Sequence, residues 1–167
     1  MTPRMRSGQQ PSGKSDWETP DGLVKILEAE FGNIELDPCA TRETAKAHYY
    51  FGPDSKWGYY DGLEREWLAG FVFVNPPYGR NITKWVEKCY VEVLDGNALT
   101  VVALLPVATD TAWWRWVAEA TEIRFLIGRV HFKGVAGPAP FASAIVIWRR
   151  GMLGWHRVSY WDWKAKA

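Results

Sequence analysis

The chain passes through Phe71-Val72-Phe73-Val74-Asn75-Pro76-Pro77-Tyr78-Gly79, and the change of character at Asn75 decides how the fold is read. Four apolar residues, two of them β-branched, read as a buried strand. Pro76 and Pro77 have no N–H to offer a neighbouring strand, so the chain must leave the sheet at Asn75. In an open α/β sheet, ligands bind in the crevice beyond the carboxyl ends of the strands. Asn75, Pro76, Pro77 and Tyr78 are therefore the first candidates for a functional site. The same residue types are also ordinary turn formers, so the pentapeptide by itself is compatible with a plain turn.

Working outward, Thr19 has the character of a helix N-cap with Pro20 at the first helical position, and Leu23, Val24, Ile26, Leu27 and Phe31 form an apolar face ending near Gly32. Ile34 to Leu36 reads as a short first strand that delivers Asp37. Residues 41–70 are the least regular: a short helix over Glu43 to His48 gives way to Tyr49-Tyr50-Phe51-Gly52-Pro53 and Trp57-Gly58-Tyr59-Tyr60, leaving room only for reduced second and third strands. Asp61-Gly62-Leu63 reads equally as a turn and as a ligand contact. Downstream, Ile82, Trp85, Val86, Cys89, Tyr90 and Val93 recur at helical spacing before Gly96. Leu99 to Leu105 reads as a strand, Thr109 to Ala120 as a helix, and the region near Ile123 to Ile127 as a strand. Val130 to Phe132 and Ala142 to Trp148 follow as strands with no helix between. The expectation is an α/β fold with a mostly parallel sheet ending in an antiparallel strand pair, preceded by a flexible basic arm over residues 1–15.

The junction suits one kind of chemistry well. An exocyclic amine on a nucleobase, or an amide nitrogen, is a poor nucleophile because its lone pair is delocalised into the adjoining π-system. The side-chain carbonyl of Asn75 and the main-chain carbonyl of Pro76 can accept both amine hydrogens and favour a pyramidal nitrogen. Proline's fixed φ organises that carbonyl in advance. Tyr78 offers a face for a planar base, a contact worth roughly 1–3 kcal/mol, and Gly79 allows close approach. Alkylation makes the amine acidic, so no strong base is required and the absence of histidine from the motif is unsurprising.

With Trp17-Glu18-Thr19-Pro20 and Leu36-Asp37-Pro38-Cys39-Ala40 upstream, the chain resembles the phage-type DNA adenine-N6 methyltransferases over roughly Asp16 to Trp148. The resemblance implies one Rossmann-like methyltransferase domain over residues 16–167, S-adenosylmethionine as methyl donor, DNA as partner, and a flipped-out adenine held by the Asn75 to Tyr78 loop. It implies cofactor contacts from Trp17, Thr19, Pro20, Asp37, Pro38, Ala40, Asp61, Leu63 and Asn75, with the Thr19 hydroxyl near the cofactor carboxylate, Asp37 near its ammonium and Asp61 near its adenine amine. Tyr78, Arg129, Phe132 and Phe141 are the implied substrate contacts, and Glu43 or Asp54 the candidates for the ribose hydroxyls. Such enzymes usually follow the first strand with a glycine-rich turn; here Pro38-Cys39-Ala40-Thr41-Arg42 stands instead, which leaves a compact cofactor site using Ala40, a weakened cofactor affinity or an inactive relative, the first being favoured. Other amine acceptors, such as an RNA guanine or a protein glutamine, and a non-catalytic DNA-binding relative remain open alternatives.

Composition narrows the setting. A chain of 167 residues with 47% hydrophobic content has room for one core. No apolar run approaches the roughly 20 residues of a membrane span, and the N-terminus lacks a signal-peptide core, so a cytoplasmic protein is expected; the sequence leaves the oligomeric state open, with a monomer favoured. Cys39 and Cys89 have no zinc-like spacing, and no metal is implied. Net charge is only +1, but residues 122–167 hold eight Lys/Arg against two acids while residues 15–121 hold nine against seventeen. That segregation points to a basic surface for phosphate. Most of the eleven Trp residues are expected in the core, with one or two of Trp113, Trp114 and Trp116 exposed.

Overall fold

A computed structural model describes residues 17–56 and 60–166. The expected arm, residues 1–15, lies outside the described residues. Among the described residues seven strands form one sheet: β1 (Leu36–Asp37), β2 (Tyr49–Tyr50), β3 (Ala69–Val74), β4 (Ala98–Pro106), β5 (Glu122–Leu126), β6 (Ser143–Arg149) and β7 (Arg157–Trp161), in the order β2-β1-β3-β4-β6-β5-β7. All pairings are parallel except those of β6, which runs antiparallel to both β4 and β5. The α/β class, the mostly parallel sheet, the antiparallel element and the reduced early strands agree with the sequence reading.

Alternation along the strands splits the core in two. Phe71 and Phe73 of β3, Val102 and Leu104 of β4, and Ile145 and Ile147 of β6 meet Leu23, Val24 and Leu27 of helix α1 (Asp21–Phe31). Val72, Val74, Val101, Ala103, Val146 and Trp148 face the other way, toward Trp85, Val86, Cys89 and Val93 of helix α2 (Ile82–Leu94) and Val117 of the short helix α3 (Trp114–Ala118). Because both faces are covered, β3, β4 and β6 read as continuous apolar runs. Inside this core Glu92 is only 3% exposed, and it accepts the Trp67 N–H at 2.7 Å and pairs with Lys88.

Several local expectations change. The Glu43 to His48 helix is a set of turns, and the helix expected from Thr109 to Ala120 is confined to α3. Val130 to Phe132 forms no strand: Val130 O accepts Ala139 N–H, and Lys133 N–H reaches Glu18 O. The last strand is instead β7. Thr19 is not an N-cap: α1 starts at Asp21 after Pro20, with no side-chain cap. None of Trp113, Trp114 and Trp116 is exposed; among the described residues the exposed tryptophan is Trp155, at 69%. Among the described residues no helix is long and apolar enough to cross a membrane.

Candidate active site

The strand order creates the crevice. β1 and β3 are neighbours, yet the chain continues from β1 outward to β2 and from β3 in the opposite direction to β4. Both carboxyl ends open where the connections diverge, which is the switch point at which open α/β sheets bind ligands. Asp37 ends β1, and Asn75 follows β3. The two ends are joined by the Cys39 thiol, which donates to the main-chain carbonyl of Asn75 at 3.3 Å.

Every polar atom of the Asn75 amide has a protein partner. Nδ2 donates to the Trp17 carbonyl at 2.6 Å and to Thr19 Oγ1 at 3.1 Å, while Oδ1 accepts the Tyr78 hydroxyl at 3.0 Å. That hydroxyl also lies 3.3 Å from Leu104 O. Burial, reinforced by the neighbouring Cys39, pushes the Tyr78 pKa far upward, so the phenol remains a donor at any working pH. The Tyr78 ring sits in an aromatic cluster, with centroids 5.3 Å from Phe141, 6.2 Å from Trp17 and 6.3 Å from Phe132.

Asn75 borders two cavities. The larger, about 340 Å³, is lined by Pro38, Cys39 and Ala40, by Phe51, Tyr60, Leu63 and Trp85, and by Asn75, Pro76, Pro77 and Tyr78. The smaller, about 40 Å³, shares Trp17, Cys39, Ala40 and Asn75 with it and adds Glu18, Thr19, Asp37, Thr44 and Lys46. An apolar, aromatic chamber thus adjoins a compact polar one holding both an acid and a base. Asp37 is 4% exposed; its carboxylate accepts Lys46 N–H at 3.1 Å and Cys39 N–H at 3.4 Å. Burial outweighs those bonds and raises its pKa to about 6. Glu18 and Asp21 pair with both Lys46 and Lys133, and although partial burial opposes it, these lysines hold Glu18 below its ordinary value.

Residues 6–150 match the family described as DNA N-6-adenine-methyltransferase (Dam). The chain belongs to this family. It is also similar to a protein of Escherichia phage T1 described as "DNA N-6-adenine-methyltransferase", 27% identical over 113 residues. That match takes in 66% of this chain and 44% of the phage protein, so it spans less than half of the relative's length.

For a member of the DNA N-6-adenine-methyltransferase family, the placement of the expected site residues is informative. Trp17, Pro38, Ala40, Asp61, Leu63, Asn75, Pro76, Pro77 and Tyr78 line the larger cavity, and Thr19 and Asp37 the smaller. Asp61 is both a turn former and a lining residue, its Oδ1 accepting Leu63 N–H at 2.9 Å. Pro20 borders neither cavity; its carbonyl accepts Leu23 and Val24 N–H at the start of α1. Glu43 is exposed and Asp54 is engaged by Arg42 N–H, and neither lines either of these two cavities. Phe132 and Phe141 belong to the ring cluster, while Arg129 is exposed. Lys133 brings their loop to the site through its N–H bond to Glu18 O at 2.8 Å.

Two features escaped the sequence reading. Lys46 sits beside Asp37 within a stretch that carries no motif. The missing glycine-rich turn is compensated from outside: a Cβ on Gly52 would stand 1.9 Å from Ala40 O, and one on Gly62 would stand 1.9 Å from Pro38 O. The turn after β1 keeps its side chains, and the segments opposite it supply the glycines. Gly-Pro at 52–53 and Asp-Gly at 61–62 were the available signals, but each is also an ordinary turn pair.

The basic C-terminal third is divided in space. Arg124 is buried against Glu30 and Glu122. Arg149 and Arg150 end β6 and Arg157 starts β7, at the edge of the sheet opposite Asn75. Arg129 and Lys164, whose Nζ lies 3.4 Å from Arg129 O, are on the same edge as the crevice.

Proposed function

We propose that this protein transfers a methyl group from S-adenosylmethionine to the N6 amine of adenine in DNA, using Asn75 to orient the amine. The observation that carries the reading is the carbonyl of Asn75 beside a two-chamber crevice, its Nδ2 anchored behind it. The family membership supports adenine as the acceptor.

The residues present fit the proposed cofactor. A zwitterionic amino-acid end needs an acid for its ammonium and donors for its carboxylate, which Asp37 and Lys46 supply in the polar chamber. A nucleoside end needs apolar walls, which Phe51, Tyr60, Leu63 and Trp85 supply. When bound, this cofactor contributes a methyl group activated by a sulfonium. Asn75 Oδ1 and the Pro76 carbonyl accept the amine hydrogens and localise its lone pair. Trp17, Tyr78, Phe132 and Phe141 provide the aromatic surface against which a base would stack. A duplex adenine must leave its stack to arrive there, at a cost of a few kcal/mol, and Arg129 is placed to meet backbone phosphate.

The test is incubation with labelled S-adenosylmethionine and separate DNA, RNA and protein, followed by nucleoside and amino-acid analysis. Label in N6-methyladenine from DNA is expected. Label confined to RNA or protein would replace the acceptor, and failure to bind at millimolar cofactor would remove the activity altogether.

Asp37 imposes a pH dependence. Its pKa near 6 means that the carboxylate needed for an ammonium is lost as pH falls through about 6. Cofactor affinity measured by calorimetry is therefore expected to weaken below pH 6, and Asp37→Asn to bind poorly with a flat profile. The unliganded fold responds in the opposite sense. A carboxyl whose folded pKa lies above its ordinary 3.8 favours the neutral form, so its stabilising contribution is complete below about pH 4 and lost as pH rises through about 6.

A further inference from the structure

We infer that Thr19, together with the Trp17 carbonyl, is a positioning device that fixes which end of the Asn75 amide faces the acceptor, and that it demands asparagine rather than aspartate at position 75. The inference rests on the methyl-transfer reading for its kinetic consequences, though not for the geometry itself.

A primary amide has two donor hydrogens on one side and one acceptor oxygen on the other, and the two ends are nearly the same shape. Its direction is set by partners that cannot exchange roles. The Trp17 carbonyl can only accept, and at 2.6 Å it admits Nδ2 and excludes Oδ1. Thr19 Oγ1, 3.1 Å away, takes the second hydrogen. The Tyr78 hydroxyl, which stays protonated, donates to Oδ1 from the opposite side. A turned amide would set oxygen against oxygen at Trp17. Thr19 is 2% exposed and caps no helix. Its bond to Asn75 therefore accounts for a buried hydroxyl that secondary structure leaves unexplained.

Aspartate at position 75 would direct one carboxyl oxygen at the Trp17 carbonyl. It would relieve that contact only by carrying a proton. The ionisable groups around this position are Asp37 and Cys39 from the end of β1, Tyr78 from its own loop, and Glu18 and Lys46 across the smaller chamber. The two in contact with Asn75, the Tyr78 hydroxyl and the Cys39 thiol, stay neutral, Asp37 is itself a buried carboxyl and the lysine is already paired with two acids, so a second carboxyl would be held in the neutral form above the ordinary carboxylate range.

The experiment compares Thr19→Val, Thr19→Ser and Asn75→Asp in the full chain. Thr19→Val is expected to lower kcat about tenfold, the worth of one buried hydrogen bond, while cofactor Kd changes by less than about twofold. Thr19→Ser should restore most of the lost turnover. A rise in cofactor Kd with kcat unchanged would instead make Thr19 a cofactor ligand and overturn the positioning role. Asn75→Asp, assayed at saturating cofactor between about pH 6.5 and 9, should lose turnover as pH rises; turnover equal to that of the parent protein at pH 8 would also overturn it. If Thr19→Val does not fold, Thr19→Ser and this profile decide. A parent protein without methyl transfer would count against the proposed activity and leave the clamp to NMR. There, the two side-chain amide protons of Asn75 should exchange slowly, and one should shift and exchange faster in a Thr19 variant. Fast exchange of both protons in the parent protein would end the proposal.

Discussion

Asn75→Ala is expected to reduce the single-turnover rate of adenine methylation by roughly 10²–10³-fold, the scale seen when one preorganised polar group is removed from a reacting centre. The substitution deletes Oδ1, the acceptor placed beside the crevice, and leaves the Pro76 carbonyl as the sole acceptor from this loop. One acceptor can orient an amine but cannot hold both hydrogens away from the lone pair. Cofactor affinity should change far less, because Asp37, Ala40, Leu63 and Trp85 remain in place. Stability also falls: the Trp17 carbonyl and the buried Thr19 hydroxyl lose Nδ2, at about 1–3 kcal/mol for an unsatisfied buried group. Tyr78 keeps Leu104 O as an alternative acceptor. Rapid-quench kinetics alongside calorimetry separates these effects. A rate within about fivefold of the parent protein would mean that Asn75 is only a turn residue.

Why Asn75 stood out while Thr19 was misread is a matter of range. The break from Phe71-Val72-Phe73-Val74 into two prolines is local physics, since neither proline can join a ladder wherever the rest of the chain lies. Helix α2 was legible for the same reason: its buried apolar residues, Trp85, Val86, Cys89 and Val93, follow helical spacing. Thr19 followed by Pro20 has the form of a helix start, and only a partner 56 residues further along gives its hydroxyl a different use. Val130, His131 and Phe132 alternate buried, exposed, buried like a strand, yet Val130 O accepts Ala139 N–H from the following loop and the three residues join no strand of the sheet. β7 was missed for the converse reason. Arg157, Val158 and Tyr160 are all exposed at the sheet's edge, so hydrogen bonding to β5 defines the strand without a hydrophobic pattern. The charge pattern is divided in space because adjacent segments of chain end on opposite edges of the sheet: β6 carries Arg149 and Arg150 away from the edge at which Arg129 follows β5.

Gly62→Ala should disrupt the proposed cofactor site. The added Cβ would stand 1.9 Å from the Pro38 carbonyl oxygen and 2.9 Å from the Trp85 ring carbon Cη2. A backbone oxygen cannot rotate aside, so the segment from Pro38 to Ala40 must move bodily. That segment lies between Asp37 and the Asn75 carbonyl, to which Cys39 is bonded. Displacement there disturbs both chambers at once. Overpacking of this kind costs about 1–3 kcal/mol in the fold, and a comparable loss in binding corresponds to roughly 5–150-fold weaker cofactor affinity. Gly52→Ala, with its Cβ 1.9 Å from Ala40 O, should act in the same direction. Gly70→Ala is the control. Its Cβ would meet Glu35 Oε1 at 2.7 Å, the end of a flexible and exposed side chain, and Gly70 lies at the start of β3, away from the crevice. Thermal unfolding and calorimetry on the three variants should separate the pair from the control. If Gly62→Ala bound cofactor as tightly as Gly70→Ala, closeness to the Pro38 to Ala40 turn would not be what replaces the absent glycine-rich loop.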